Sequence, residues 1–387
     1  MQLIPVTDRQ TAKRFLLMPL HIYKNDSHYI RPLDKDISAV FDPEKNKAFR
    51  HGECTRWLLE DDEGKDIGRI AAFVNKKYRN KGDTQKTGGV GFFECINDQL
   101  AADMLLDVAK SWLMQRGMEA MDGPINFGER DRWWGMVVEG YKPPIYLMNY
   151  NPPYYQQLFE NYGFKNFYNQ VCWHMKVQTT LNERFDEMHQ HYNSQPDFRA
   201  EHIKKSNVDK AAEEFCIVYN KAWAGHEGNK QLNKEVAKKM FKSMKPVMDE
   251  KLIWFVYYKN EPIAFWVNLP ELNQLFKHFN GRFGLLEKLR FLWLKSQGKN
   301  DKFTGIVFGV VPEWHGKGID YYMIRHGAEV IQNDTGYTEL ELQWQGDFNP
   351  KILNISKHIG ATQSRLLTTY RYLFDRSKEF KRHPVLN

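Results

Sequence analysis

Residues 310–320 read VVPEWHGKGID and join a short apolar run to the start of a predicted helix. Two glycines, Gly316 and Gly318, lie at the junction, where they allow the backbone to approach a bound group closely. The free N–H groups and the positive dipole end of a helix N-terminus attract anions. Lys317 places a cation between the two glycines. The stretch therefore predicts a strand, a phosphate-binding loop and a helix, in that order.

The elements around this loop follow a plan that occurs twice in the chain. Apolar runs separated by a short polar turn predict a β-hairpin at 56–74, and a second hairpin at 252–267. Gly360, in the turn before the last predicted strand, follows its counterpart Gly163 by 197 residues. Each half is predicted as strand, strand, strand, helix, strand, helix, strand, after an initial helix. The chain therefore carries a repeat at the scale of a domain.

This repeat sets the expected fold class. Hairpins favour antiparallel pairing, so we predict an α+β protein of two tandem domains. Each domain is a mixed, mostly antiparallel twisted sheet flanked by helices. We predict an N-terminal domain at 1–178, a polar linker region at 179–207 and a C-terminal domain at 208–387. The second domain carries a helical insertion at 277–300.

The loop resembles the acyl-CoA loop of the GNAT (GCN5-related N-acetyltransferase) superfamily, whose pattern is Gln/Arg-x-x-Gly-x-Gly/Ala. Gly318 matches the central glycine, whereas His315 and Asp320 depart from the first and last positions. Through GPIN at 123–126, NYNPPYY at 149–155, GF at 163–164 and the segment 310–318, nearly the whole chain also resembles a bacterial group of tandem GNAT-like proteins. The resemblance implies two GNAT-like domains and an N-acetyltransferase that uses acetyl-CoA, or another acyl-CoA, as cosubstrate.

The resemblance also assigns cofactor contacts by position. In the family, the strand before the loop pairs with the pantetheine amides, and the loop binds the pyrophosphate. An Asn after the next strand often contacts the cofactor. The corresponding residues are Gly309, Val310 and Val311 for pantetheine, His315, Gly316, Lys317, Gly318, Ile319 and Asp320 for the loop, and Asn349.

Acyl transfer to an amine needs a base for the amine proton and a donor for the developing oxyanion. Glu341, on the predicted strand beside the cofactor, is the first candidate base, and Glu271 is the second. His226 and Glu227, on an acceptor-side loop, are a third possibility. Ser356 stands where the family often has a Tyr general acid, so Tyr370 and Tyr372 on the last strand are the substitutes considered. Packing in the core is the alternative role for both tyrosines.

The first half lacks a glycine loop after its third strand. Residues 94–99 read ECINDQ, and their carboxylates disfavour a bound phosphate. We therefore expect a degenerate copy that keeps the fold and helps to shape the acceptor pocket. The segment GERDRWWG at 128–135 is a candidate lining of that pocket, or a surface loop whose tryptophans pack inward.

Composition narrows the classes of function. The net charge is +7, but no run of five like charges occurs among the 387 residues, which argues against a nucleic-acid arm. The four cysteines and thirteen histidines show no metal-ligand spacing, so we predict no metal. No signal peptide or membrane-spanning run is evident. We expect a cytoplasmic protein without integral membrane contact.

The insertion at 277–300 interleaves apolar and basic side chains. It is interpreted as a lid over the substrate groove, or as a basic amphipathic helix that touches a membrane surface or a long acyl chain.

Three functions compete. The first is acyl transfer from acyl-CoA to a small-molecule or peptide amine by direct attack. The second is aminoacyl transfer, as in tandem-GNAT enzymes that build cell-wall peptides. The third is a catalytically inactive acyl-CoA-binding protein. The sequence does not indicate the acceptor, the acyl length or the oligomeric state.

Overall fold

The computed structural model describes residues 1–223 and 231–386. The first half contains seven strands and five helices: β1 (Gln2–Pro5), α1 (Arg9–Leu17), α2 (Pro19–Ile22), α3 (Asp34–Val40), β2 (Gly52–Glu60), β3 (Asp66–Asn75), β4 (Thr87–Cys95), α4 (Gln99–Met114), β5 (Ala120–Gly123), β6 (Met136–Glu139), α5 (Tyr154–Tyr162) and β7 (Lys165–Lys176).

In the described part of the second half, six strands and seven helices follow: α6 (Glu183–Asn193), β8 (Phe198–His202), α7 (Val208–Trp223), α8 (Lys234–Met244), β9 (Ile253–Tyr258), β10 (Glu261–Pro270), α9 (Asn273–Phe276), α10 (Leu285–Ser296), β11 (Lys302–Val310), α11 (Ile319–Asp334), β12 (Glu339–Gly346), α12 (Pro350–His358) and β13 (Thr362–Leu373). Short 3-10 turns lie at Lys47–Arg50, Lys205–Asn207, Glu250–Leu252 and Pro312–Trp314.

The thirteen strands of residues 1–223 and 231–386 belong to one sheet. Its order is β1-β2-β3-β4-β5-β13-β7-β12-β11-β10-β9-β8, with β6 pairing with β13 off this path. Among the strand pairs of the described residues, only β4–β5 and β11–β12 are parallel. The predicted α+β class, with a mostly antiparallel sheet and flanking helices, is therefore confirmed.

The closing strands of the two halves are exchanged. Strand β13, the last of the chain, lies between β5 and β7 of the first half. Strand β7 in turn pairs with β12 of the second half, for example Leu342 opposite Trp173. Sequence periodicity predicts each strand but not its partner, because pairing is decided by contacts distant in the sequence.

Two large apolar cores lie on this sheet. In the first half, β2 to β4 pack against α4 and α5 around Leu59, Ile70, Leu105 and Phe159. In the second half, β9 to β11 pack against α7, α8 and α11. The predicted apolar stripes of the helices contribute to both cores. Each stripe packs against the side chains that point to one face of the sheet, which are alternate residues of each strand.

The polar region predicted as a linker, 179–207, contains helix α6 and strand β8. Strand β8 extends the sheet beside β9, and Tyr192 of α6 is buried in the second core. This stretch therefore begins the packed second half. The domain boundaries themselves stay a prediction.

Candidate functional site

Strands β11 and β12 run parallel but pair only near their starts. Lys302 lies opposite Glu339, and the last pair is Gly305 with Leu342. Beyond this point β11 continues beside β10, and β12 continues beside β7. The two strands therefore separate. A gap opens between them toward the C-terminal end of β11, which the glycine loop follows.

The glycine loop lies where that gap meets the start of α11. Gly316 and Gly318 have φ of +71° and +81°, a backbone region that residues with a Cβ rarely adopt. Gly318 is the N-cap of α11. A Cβ at Gly318 would lie 2.5 Å from Sδ of Met188, so α6 packs directly against the loop at this position. Within residues 1–223 and 231–386, no acceptor pairs with the N–H of Gly316 or Gly318.

The remaining loop positions are held by contacts within the loop. The N–H of His315 donates to the Pro312 carbonyl at 3.1 Å, so it does not point toward an anion. The His315 ring donates from Nε2 to the Val310 carbonyl at 2.8 Å. Nζ of Lys317 lies 4.9 Å from the centre of the Trp314 ring, and Tyr192 donates to the Lys317 carbonyl. The loop therefore presents glycine amides and one exposed cation.

Asp320 lies in the first turn of α11. The backbone N–H groups of Asp320 and Tyr321 act to lower the pKa of its carboxyl. Burial nevertheless raises the pKa of this carboxyl above its usual value. The side chain lines a small depression with Phe185 and His358. Asp320 thus faces α6 and α12, and as an acid in a first helical turn it is favoured by the helix dipole.

The strand before the loop offers fewer backbone contacts than the resemblance implies. The Val311 N–H donates to the Ile263 carbonyl at 2.9 Å, so Val311 bonds to the chain at the start of β10. Gly309 lies opposite Phe265 and Val310 opposite Ala264. Since hydrogen-bonded and non-hydrogen-bonded pairs alternate, only Val310 of the three aims its backbone groups at the gap. Pantetheine contacts by Val311 and Gly309 are not supported by this geometry.

An apolar cavity of about 100 Å³ lies on the face of the sheet covered by α11 and α12. It extends from the separating strands to the inner sides of both helices. Its lining includes Phe303, Phe308, Ile324, Leu340, Leu342 and Ile355. Ser356 and Gln345 also line it and hydrogen-bond to each other at 2.8 Å, so these polar groups satisfy one another. The cavity suits an apolar chain better than a polar ligand.

Asn349 lies at the same end of the sheet as the loop. It precedes α12, and its N–H donates to the Gly346 carbonyl at 3.0 Å. Since β11 and β12 are parallel, their carboxyl ends meet at one edge. A cofactor contact by Asn349 stays a prediction.

Glu341 lies on the opposite face of the sheet from the cavity. It is opposite Thr304, one position before the last β11–β12 pair. Its carboxylate accepts from Arg365 at 2.9 Å, and Ser364 lies at 3.4 Å. Arg365 is 1% exposed and also donates to the Pro143 carbonyl of the first half. The first candidate base therefore sits beside the opening of the gap, held by a buried guanidinium.

Glu271, the second candidate, lies at the end of β10 and is 5% exposed. Its carboxylate accepts the N–H groups of Tyr146, Asn273 and Gln274 at 2.7 to 3.1 Å. Burial raises the pKa of Glu271 to about 7 in spite of these donors, and the nearby Glu341 acts in the same direction. Glu271 thus joins the first half to the start of α9 and positions the segments around Glu341.

This raised pKa predicts a pH-dependent stability. Folding raises the Glu271 pKa from 4.5 to about 7, so the native state binds more protons than the unfolded state between these values. The free energy of unfolding should therefore fall with rising pH across this window, by on the order of 3 kcal/mol. We expect Glu271→Gln to lose this part of the pH dependence in denaturant unfolding at about pH 5 and about pH 8.

Glu250→Gln is the matched control, because Glu250 also accepts a backbone N–H, from Lys205. If wild type and Glu271→Gln show the same pH dependence, Glu271 does not titrate in this window.

Tyr370 is not brought together with the loop or with Glu341. It is buried in the first-half core, opposite Gly123 of β5, and its hydroxyl donates to Glu160 at 3.0 Å. Along β13 it lies five residues from Arg365, about 17 Å at the rise of an extended strand. Tyr372 packs in the same core. The structure thus gives both tyrosines packing roles, and a catalytic role for Tyr370 stays an untested prediction.

The third candidate base, His226 with Glu227, lies outside the described residues. The segment 128–135 is described, and both of its tryptophans, Trp133 and Trp134, are buried. Trp134 donates to the Tyr168 hydroxyl at 2.7 Å. Both tryptophans therefore pack inward, as in the surface-loop alternative for this segment.

The corresponding gap in the first half is filled by the chain itself. The Ile125 N–H donates to the Val90 carbonyl, and a Cβ on Gly91 would lie 1.9 Å from the Ile125 carbonyl oxygen. At the start of α4, Asp98 accepts the N–H of Ala101. In the first half, therefore, the chain fills the space between the strands, and Asp98 occupies one of the first amides of the helix.

Arg365 and the cavity are the features that the sequence did not predict. The sequence signal for Arg365 is a cation directly before the apolar run of the closing strand, where a buried charge needs a partner. The signal for the cavity is a second apolar stripe, Ile352 and Ile355 on α12, that faces the predicted stripe of α11. Without the strand order, the sequence does not show which carboxylate pairs with Arg365 or which residues face the stripe of α12.

The fold is that of tandem GNAT proteins. A tandem GNAT protein from the clavulanic acid biosynthesis pathway superposes with a TM-score of 0.54 at 9% identity, over 97% of this chain and 99% of its own. A GCN5-related glucosamine N-acetyltransferase region of a fungal multi-domain GH3 β-N-acetylglucosaminidase gives a TM-score of 0.55 at 12% identity. That match covers 96% of this chain but only 38% of the fungal one.

Among curated proteins, the chain is similar to "Bacterial ceramide synthase" of Caulobacter vibrioides. The two are 23% identical over 388 residues, which cover 96% of this chain and 97% of the relative. No protein-family model matches the chain.

Two further observations concern residues 1–223 and 231–386. No helix there combines the length and the apolar character needed to cross a bilayer. Nor do three or more His, Cys, Asp or Glu side chains cluster there in a way that would hold a metal ion.

Proposed function

We propose that this protein is an N-acyltransferase that moves a long acyl chain from acyl-CoA to the amine of a lipid-like acceptor. One observation carries the proposal. The glycine loop and the apolar cavity lie on the same two elements beside the gap between β11 and β12, since Phe308 near the end of β11 and Ile324 in the second turn of α11 line the cavity. A thioester with a charged head and an apolar tail matches that arrangement.

The cosubstrate would be held mainly by backbone groups. The amides of Gly316 and Gly318 and the N-terminus of α11 would take the pyrophosphate, with Lys317 beside it. Val310 would pair with pantetheine across the gap. The His315 ring, which bonds the Val310 carbonyl, would have to be displaced for that carbonyl to take part. The acyl chain would extend into the cavity behind the gap.

The reaction would be a direct displacement. The amine nitrogen attacks the thioester carbonyl, the C–N bond forms, the C–S bond breaks, and coenzyme A leaves as a thiolate that takes up a proton. Glu341 would accept the proton that the amine loses, since it lies at the mouth of the gap on the face of the sheet opposite the cavity. Arg365 would hold this carboxylate in place.

Two features support a long acyl chain rather than acetyl. Ser356 lines the cavity at the position where the resemblance places a Tyr, so the smaller side chain leaves space for methylene groups. The curated relative named a ceramide synthase matches over nearly its whole length. Ceramides are N-acylated long-chain amino alcohols, which suggests this class of acceptor.

The test is an assay of free thiol release and product mass with acyl-CoAs from acetyl to palmitoyl. The acceptors are a long-chain amino alcohol and a short amino alcohol. We expect turnover only with long-chain acyl-CoA and the long-chain acceptor. Turnover confined to acetyl-CoA would overturn the long-chain assignment. Acyl-CoA binding without turnover on either amine would favour a non-catalytic role.

Replacing Ser356 tests the cavity directly. We expect Ser356→Tyr to lower kcat/KM for palmitoyl-CoA about a hundredfold, because losing the burial of three or four methylenes is worth about 3 kcal/mol. Binding of acetyl-CoA, measured by calorimetry, should be unchanged. Ser356→Ala, which removes the bond to Gln345 but keeps the space, is the control. Equal effects of both substitutions would show that the hydrogen bond and not the space matters.

A further inference from the structure

Helix α10 carries an exposed apolar stripe formed by Leu285, Leu286, Leu289, Leu292 and Trp293. These side chains are 57 to 78% exposed. At 3.6 residues per turn they cover about 120° of the helix surface. Single exposed apolar residues are common, but five on one helix face form a contiguous surface that needs explanation.

The opposite side of α10 is already used. Phe291 and Leu294 are buried against Leu272, Leu275 and Phe276, in a cluster that includes Leu33 of the first half. The helix is thus anchored to the protein by its inner face, and the α10 stripe points away from the body. The insertion does not line the apolar cavity, so the lid alternative has no support from this arrangement.

Charge indicates what covers the stripe. The segment 277–300 holds six basic side chains and one acidic side chain, a net charge of +5 within a chain of +7. Lys288 and Arg290 lie on either side of the stripe on the helix surface. In the part of the chain that the structure describes, none of the six cations forms an ion pair with a carboxylate. Unneutralised cations bordering an apolar face fit an anionic partner.

We propose that the α10 stripe docks on the surface of an anionic phospholipid bilayer. A helix with Leu and Trp on one face and Lys and Arg at its borders lies in the plane of the interface, its apolar side chains among the upper acyl groups. The cations meet the anionic headgroups, each worth about a fivefold gain in binding. This contact is peripheral and needs no membrane-spanning helix.

The position of the stripe suggests a function for this docking. Helix α10 packs on α9, which begins two residues after Glu271 and whose Phe276 contacts Tyr146. The stripe is therefore connected through α9 to the segment that holds Glu271, the second candidate base. An amphiphilic amine would reach the site from the membrane surface without passing through bulk water. The docking rests on the stripe and its bordering cations and does not depend on the proposed acyl transfer.

Co-sedimentation of the full chain with vesicles tests the proposal, without any acyl-CoA present. We expect binding to vesicles of phosphatidylcholine mixed with phosphatidylglycerol, and much weaker binding to phosphatidylcholine alone. Leu286→Gln/Trp293→Gln should weaken binding at least about tenfold, since each buried apolar side chain contributes more than 1 kcal/mol. Lys288→Gln should weaken it about fivefold on the anionic vesicles only.

Leu100→Gln/Met114→Gln is the matched control, because these residues are exposed apolar side chains of α4 in the first half. Circular dichroism and sedimentation velocity are recorded for every variant. Absence of binding by the wild type to anionic vesicles, or equal loss in the control, overturns the proposal. A dimer that Leu286→Gln/Trp293→Gln dissociates would also overturn it and assign the α10 stripe to a second copy of the chain.

Discussion

Replacing Gly318 with glutamate is expected to weaken acyl-CoA binding at least about a hundredfold, or by ~2.7 kcal/mol. Gly318 has φ of +81°, where any Cβ is strained, and its Cβ would lie 2.5 Å from Met188 Sδ. The new carboxylate would also stand at the N-terminus of α11, where it competes with the pyrophosphate for the amides and repels it. Calorimetric titration of acetyl-CoA and palmitoyl-CoA measures the loss.

Two companion variants separate the causes. Gly318→Ala keeps the strain and the contact with Met188 without the charge, so a loss of about tenfold is expected from roughly 1 to 2 kcal/mol of strain. Gly64→Glu places the same side chain at a similar φ, +78°, in a first-half turn with nothing within 4 Å. It should bind like the wild type. Full binding by Gly318→Glu would place the cofactor elsewhere, and no binding by the wild type would contradict the acyl-CoA proposal.

Glu341→Gln is expected to lower kcat by roughly 10²- to 10³-fold with little change in KM, as loss of a general base does. Gln keeps the size of the side chain but cannot take the amine proton. Glu339→Gln is the control on the same face of β12, since Glu339 pairs with Lys302 and His174 at the far end of the strand pair. Steady-state kinetics of both variants test this assignment.

The buried ion pair offers a second way to test Glu341. Arg365→Met should destabilise the protein by about 3 to 5 kcal/mol, because it leaves the Glu341 carboxylate unpaired. The double variant Glu341→Gln/Arg365→Met should recover much of that stability in urea unfolding but none of the activity. If the double variant also recovers activity, Glu341 serves only to hold Arg365.

Local elements could be predicted well from the sequence. The hairpins at β2–β3 and β9–β10, the strand that leads into the loop, and α4 and α11 all follow from period-2 and period-3.6 patterns. The glycine loop was found because its chemistry is local: two glycines, a cation and a helix start lie within a few residues.

The remaining features depend on distant contacts. The Glu341–Arg365 pair joins two strands that are not neighbours in the sheet, since β7 lies between β12 and β13. The segment 179–207 was predicted as a linker because it is polar, yet Tyr192 and Phe185 anchor it in the core. Sequence order alone places Tyr370, on the last strand, in the second half. In the sheet, however, β13 lies between β5 and β7, so Tyr370 is part of the first half.

The exchange of β7 and β13 bears on how the chain reaches its native state. Strand β5 has β13 as its neighbour, so the first half cannot complete its sheet until residues 362–373 have been made. During synthesis that edge stays open while roughly half of the chain is still to come, and such edges invite wrong pairing. Contacts this far apart in sequence also slow folding. The two halves then form one cooperative unit, in which a substitution that destabilises the final strand destabilises both halves.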